Sequence, residues 1–471
     1  MTVFIEPERE TPVAMEVDVI VVGGGPAGMI AALASKRAGG DTLLIERSGH
    51  LGGLLTGGFV TKPQAPVVGG IPEELFRRVI QLGGAIGNKR YRLRDGAYTF
   101  FMSPTDPETV KRVAFEMMDE SGVKLLLHSL VTDPVMEGDE LNGVIVETKS
   151  GRQALLADVV VDASGDGDLA ARAGAPYQMG RGEDGRPQPM TMMFRMGNVD
   201  MNKLVEYAKN NMDDFTFTHF PRFDGPIPEE SQRLNIVLEG FLKLQDKAAD
   251  EAGYERPREG LNVKAGVGVG DAFINSTRVM DGLGTDVRDL TNAEVEARRQ
   301  VKESVDFLIG YVPGFERSYL LDTPAGIGVR ESRRIVGEYV LTGDDIHKRR
   351  RFIDVVAKGY GVIDIHEPGG KGLHFETVEE YQIPYRCLVP KNIEGLLLAG
   401  RCISCDHRAL GTLRTIPACM YTGQAAGAAA ALSNQLDTEP RELDVSELQK
   451  TLVEQGAIIY DNILSRMKLS G

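Results

Sequence analysis

The chain of 471 residues has no tryptophan and only four cysteines, Cys387, Cys402, Cys405 and Cys419. The missing tryptophan excludes nothing. The cysteines all fall in the last fifth of the chain, which rules out a disulfide framework spread over the fold and favours a reducing compartment. Basic residues are also in short supply. Lys and Arg number 53 against 68 Asp and Glu, for a formal net charge of −15. Such a surface repels nucleic acid and anionic membranes, so neither is expected as a partner. The longest apolar stretches are short and broken by Ala and Gly, too short to span a bilayer. The opening MTVFIEPERETPVAMEVD is acidic with no apolar core, so no secretory signal is expected and the cytoplasm is the expected location. Apart from Cys402 and Cys405, no Cys or His pairs suggest a zinc site, and no metal is expected.

Glycine is abundant, at 55 residues, which points to tight turns and close backbone approach to a ligand. Hydrophobic residues make up 42% and charged residues 26%, the balance of a folded protein, and the length calls for two domains or three. Residues 17–22 (VDVIVV) read as a strand buried on both faces of a parallel sheet. An Ala-rich helix runs from the glycines that follow to Lys36, and a second strand spans 42–45. Residues 56–105 read as connection and loop. A helix over 107–121 leads to a strand at 123–128. Further strands are expected at 131–136, 143–147 and 157–162. Between 180 and 380 the pattern predicts helices at 201–210, 230–252 and 292–309, with few buried strands. The strand pattern returns at 395–399, followed by an Ala-rich helix at 417–432.

The first strand runs into Gly23-Gly24-Gly25-Pro26-Ala27-Gly28, a G-x-G-x-x-G that opens a helix. Ala32 allows close helix–sheet packing, Gly39 ends the helix, and Glu46 closes the second strand near the expected spacing. This context gives a weak motif its value as a dinucleotide fingerprint. Gly23 permits the turn, Gly25 lets the backbone approach a pyrophosphate, and Gly28 brings helix and strand together. The positive end of the helix faces the phosphates. Glu46 suits a ribose diol and disfavours a 2′-phosphate.

The segment after Glu46, Arg47-Ser48-Gly49-His50-Leu51-Gly52-Gly53, resembles the extended fingerprint of FAD enzymes in the glutathione-reductase-like superfamily. Residues 159–173 (VVVDASGDGDLAARA), 325–338 (AGIGVRESRRIVGE) and 395–432 resemble blocks of the FAD-dependent oxidoreductase family, related to the fumarate reductase and ketosteroid dehydrogenase flavoproteins. The resemblance implies an α/β fold. A discontinuous Rossmann-type FAD-binding domain (17–180 and 383–471) would follow a leader at 1–16 and carry an inserted α+β substrate or cap domain at 181–382. Beyond the fingerprint, it implies FAD contacts from Arg47, Gly52, Gly53, Leu54, Val131, Ala163, Ser164, Gly165, Gly400, Arg401, Gly411, Thr415 and Ile416. Arg401 stands where many relatives carry Asp. The helix after Thr415 would point its amides at the pyrimidine end of the flavin.

With FAD as hydride carrier, the protein has to supply orientation, a proton relay and charge stabilisation. Candidates in the blocks around the flavin are Arg330, Glu331, Arg333, His374, Arg386, His407, Arg408 and Arg414. His407 is the first choice for acid/base work, with His374 as a further catalytic candidate, and Arg330 and Arg414 suit a carboxylate or an enolate-like oxygen. For each Arg the bland alternative is a surface ion pair. His50 stands beside the glycine pair, where it could carry a covalent flavin. Cys402 and Cys405 form a C-x-x-C, to be weighed as a thiol relay against two small buried hydrophobes.

The expected function is hydride transfer between FAD and a small polar or carboxylated molecule, as a dehydrogenase or reductase with an unidentified electron acceptor. The alternatives are an oxidase, a thiol/disulfide oxidoreductase, or an electron-transfer flavoprotein subunit. The last is disfavoured by the lack of Fe–S cysteine spacing. A homo-oligomer is compatible with the sequence.

Overall fold

The computed structural model describes residues 3–92, 99–370 and 372–467. The β-branched run forms the strand Val13–Val22, which enters the sheet four residues earlier than the hydrophobic pattern indicates. Val13 pairs with Ala154, so part of the expected leader is sheet. The helix Pro26–Arg37 and the strand Thr42–Ile45 follow as expected, with Pro26 in the first turn, where its missing N–H costs nothing.

These elements belong to a seven-stranded sheet. Val13–Val22 lies at its centre, parallel to Thr42–Ile45 on one side and to Gly151–Asp162 on the other. Lys124–Leu126 extends it in parallel, and the antiparallel strands Glu140–Thr148 and Leu130–Glu137 complete the far side. The late strand Leu396–Leu398 pairs in parallel with the end of Gly151–Asp162. A second late element, the helix Ile416–Gln435, crosses the helix Pro26–Arg37. A Cβ on Gly423 would stand 2.2 Å from the carbonyl oxygen of Ala27, and one on Gly427 2.0 Å from that of Ala31. Only glycine lets the two backbones meet this closely. The Rossmann-type unit is therefore built from both halves of the chain.

Residues 56–105 hold more than loop. The helix Gly70–Gln81 buries Ile71, Leu75, Phe76 and Val79. Its Gly69-Gly70 entry and Pro72 read as breakers, yet Pro72 sits in the first turn, where it is tolerated. Further along, the expected helix over 230–252 is broken. The strand Val237–Gly240 interrupts it, and the helix resumes at Leu242–Ala252.

That strand belongs to a six-stranded antiparallel sheet that the polar sequence concealed. Its order is Phe215–His219, Val237–Gly240, Leu261–Ala265, Ala272–Asn275, Phe194–Gly197 and Tyr319–Asp322. One face carries Leu238, Val263 and Ile274, which share a core with Ala297, Val301 and Leu308 of the long helix Val287–Tyr311. The other face carries Glu239, Asn262 and Lys264. Buried charge on alternate positions hides the strand period from a hydrophobicity pattern. A hairpin, Val355–His366 with Leu373–Pro384, lies between the two sheets in sequence.

Candidate active site

The parallel strands end at a cavity of about 440 Å³. Its floor is the fingerprint turn. A Cβ on Gly28 would fall 1.7 Å from the carbonyl oxygen of Gly23, so this position can only be glycine. A Cβ on Gly25 would meet nothing within 4 Å, so the turn opens towards the cavity at that point. Glu46 accepts the backbone N–H of Gly24 at 2.6 Å and that of Ser48 at 2.8 Å. Its carboxylate thus braces the turn while lining the cavity. On the opposite wall, the buried carboxylate of Asp162 accepts N–H groups from Ser164 and Ala170, fixing the loop that presents Ala163, Ser164 and Gly165.

Arg401 closes this cavity. It donates to Asp166 at 2.8 Å and to Ser332 at 2.6 Å. Burial works to raise the Asp166 carboxyl, but Arg401 and the Ser332 hydroxyl overcome it and hold the group below its usual range. Gly400, Ile416, Arg47, Gly53 and Leu54 complete the wall at positions the sequence assigned to FAD. Five assigned positions lie outside it, Thr415 among them. Gly28 and Gly52 shape the turns behind the wall, and the N–H of Gly52 ties its loop to the carbonyl of Gly24 at 2.8 Å. Val131 belongs to the strand Leu130–Glu137 at the sheet's far side. Gly411 packs inside the helix His407–Leu413 against Ile363 and Ile365 of the hairpin. The cavity is a glycine-lined trough at a helix N-terminus with a carboxylate at the second strand, which fits the adenosine, pyrophosphate and ribityl parts of FAD.

A second cavity, of about 420 Å³, adjoins the first and shares Leu54, Val329, Arg401, Arg414 and Ile416 with it. Thr415, the N-cap of the helix Ile416–Gln435, lines this second chamber. Its walls carry Lys62, Arg258, Lys264, Arg330, Arg401 and Arg414 against the carboxylates Glu239, Glu259 and Asp364. A cationic interior in a strongly acidic protein attracts small anions. Arg330 spends one nitrogen on Pro189 O and Thr191 Oγ1, both at 2.6 Å, and among the described residues has no carboxylate partner. Burial, with Arg414 and Arg258 nearby, weakens its hold on its proton. Arg414 donates to Asp364 O at 2.6 Å, and its buried Nε has no acceptor.

The histidine of this cavity is His366, 6% exposed, at the end of the strand Val355–His366. Burial, then Arg330, Arg258, Arg414 and Arg278, push its imidazole far below the ordinary range, so it is neutral near pH 7. The choice of His407 is corrected here. Its Nδ1 lies 2.9 Å from the fully buried Glu331, which also pairs with Arg334, and its ring lines neither cavity. His374 is also displaced, because its own side chain is exposed near the hairpin's turn, beside Glu376 at 3.4 Å and outside both cavities. Arg333, Arg386 and Arg408 are held in ion pairs with Asp168, Asp354 and Glu376. His50 lines the first cavity. Cys402 and Cys405 are buried, and burial drives both thiols upward, away from the reactive thiolate. His366 was missed because its partners arrive from separate segments, although its place at the end of a β-branched run, VIDIH, was a visible signal.

The first cavity agrees with the comparisons. A relative, the thiamine thiazole synthase of Methanococcus vannielii, is 29% identical over 159 residues, 32% of this chain and 57% of that one. Digeranylgeranylglycerophospholipid reductase 2 of Methanopyrus kandleri is 28% identical over 158 residues, 32% of this chain and 38% of that one. The matches thus span 57% and 38% of the lengths of these curated relatives. Among solved structures, a geranylgeranyl bacteriochlorophyll reductase-like protein from Thermoplasma acidophilum matches with a TM-score of 0.47 at 13% identity, covering 94% of this chain and 84% of that one. Among the described residues, no helix is long and apolar enough to cross a membrane. The family described as FAD dependent oxidoreductase matches residues 18–452. The chain is an enzyme of that family, with FAD as its cofactor.

Proposed function

We propose that this enzyme transfers a hydride between FAD and a small carboxylated molecule held in the cation-lined cavity. The observation that carries the proposal is Arg330, a half-buried arginine without a carboxylate partner among the described residues, in a chamber that shares its wall with the FAD trough. A cation partly withdrawn from water without an anionic partner is costly, and a substrate carboxylate would relieve that cost. Arg330 and Arg414 would grip this carboxylate, while Val329 and Ile416 at the junction exclude water. Neutral His366 offers a lone pair for taking up a proton from the substrate carbon or oxygen, or returning it. When bound, FAD supplies the reversible two-electron chemistry. The expected kinship with the fumarate reductase and ketosteroid dehydrogenase flavoproteins belongs to the same proposal. So do a cytoplasmic location, an electron acceptor of unknown identity, the absence of nucleic-acid and membrane partners, and self-association.

The test is anaerobic stopped-flow on the FAD-loaded enzyme. Oxidised flavin is mixed with saturated hydroxy- and amino-carboxylates, and dithionite-reduced flavin with their unsaturated counterparts. Carboxylates should change the flavin spectrum, and Arg330→Met should slow that change about a hundredfold. Equal rates with the matching amides and alcohols would refute the carboxylate assignment.

A further inference from the structure

The cation-lined cavity has a second charged end. Lys62 is 4% exposed, its Nζ has no hydrogen-bond partner, and it lies over the ring of Tyr91 at 4.5 Å and that of Phe217 at 5.9 Å. Lys264 projects from the polar face of the six-stranded sheet, on the strand next to Glu239. Neither lysine has a carboxylate within ion-pair distance among the described residues. Glu239 is engaged by the Asn262 amide at 2.7 Å. Lys62 feels Lys264 and Glu239, Lys264 feels Glu239 and Arg258, and Arg330 feels Arg414, Arg258, Asp364 and Arg278. Arg258 acts on both ends of the cavity, while Arg414 borders the FAD trough and the two lysines line only the cation-lined chamber.

We infer that the substrate has two anionic groups, the one nearer the flavin held by Arg330 and Arg414 and the distal one held by Lys62 and Lys264. This rests on the function proposed above and names its substrate class. Both lysines line the same cavity, the charge of Lys264 lowers Lys62, and burial pushes Lys264 down to about 8. An anion bound between them favours the charged form of both. The oxygens Asn262 Oδ1 and Asn275 Oδ1 also lack donors, on neighbouring strands of the same floor. They suit hydroxyl or amino groups along the ligand's chain. Carboxylate and phosphate would satisfy the lysine pair by the same chemistry.

The experiment is equilibrium binding to the FAD-loaded enzyme, read by perturbation of the flavin spectrum. The probes are straight-chain dicarboxylates from malonate to suberate, the monocarboxylates of equal length, and the corresponding ω-phosphonocarboxylates. The best dianion should bind at least about tenfold more tightly than its monoanion. Whether the carboxylate or the phosphonate arm is tighter identifies the distal group. Lys62→Met should abolish the margin, with Lys264→Met as a second variant should the first not fold. The inference is overturned if monoanions match dianions, or if both lysine variants keep the margin. In either case monoanion binding still upholds the carboxylate assignment. If no anion binds at all, that assignment falls too.

Discussion

Gly28 and His366 show how differently single side chains contribute here. At Gly28 a methyl group has no room, because Gly23 O already occupies its place at 1.7 Å. Gly28→Val should therefore yield protein with little or no bound flavin, read as the ratio of visible to ultraviolet absorbance of the purified protein. His366 acts through its proton. Its folded pKa lies below the unfolded value of 6.5, so the unfolded chain binds the proton first as the pH falls. Its contribution is complete above about pH 6.5 and is lost as the medium becomes more acidic, with a slope approaching about 1.4 kcal/mol per pH unit. Denaturant midpoints measured from about pH 7 to pH 5 should fall less steeply in His366→Gln than in the parent enzyme. A parallel slope would mean that the imidazole is protonated in the folded protein.

Among the elements, the contact between the helices Pro26–Arg37 and Ile416–Gln435 is the most exacting. Gly427→Val would force Ala31 O away, and overpacking of this kind costs about 1–3 kcal/mol, to be measured as a lower unfolding midpoint with weaker flavin retention. The two ends of this contact were not equally legible in the sequence. Gly23, Gly25, Gly28 and Glu46 fall within one short strand–helix–strand unit, so their spacing carries their meaning. The helix Ile416–Gln435 is alanine-rich and buried nearly all round, so its composition gives a helix but names no partner. The strand Leu261–Ala265 was less legible still. Asn262 and Lys264 face the cavity, and their polarity removes the alternation by which a strand is recognised. Lys62, Arg258, Arg330 and His366 come from four distant segments. Only folding brings them to one chamber, so Arg330 was found by resemblance and the others were not found.

Across the whole molecule, the cofactor trough and the cation-lined chamber share a wall. Added FAD should raise the unfolding free energy of the apoprotein by about 2.7 kcal/mol at a hundredfold excess over its dissociation constant, as denaturant titration would show. The trough also draws on both halves of the chain, from Gly23 to Arg401 and Ile416. During synthesis the fingerprint turn emerges more than three hundred residues before the strand Leu396–Leu398 and the helix that covers Ala27 and Ala31. A nascent chain therefore has no finished place for the flavin. The cofactor's place is complete only once these late elements have emerged, and until then the face of the first helix that they cover is bare.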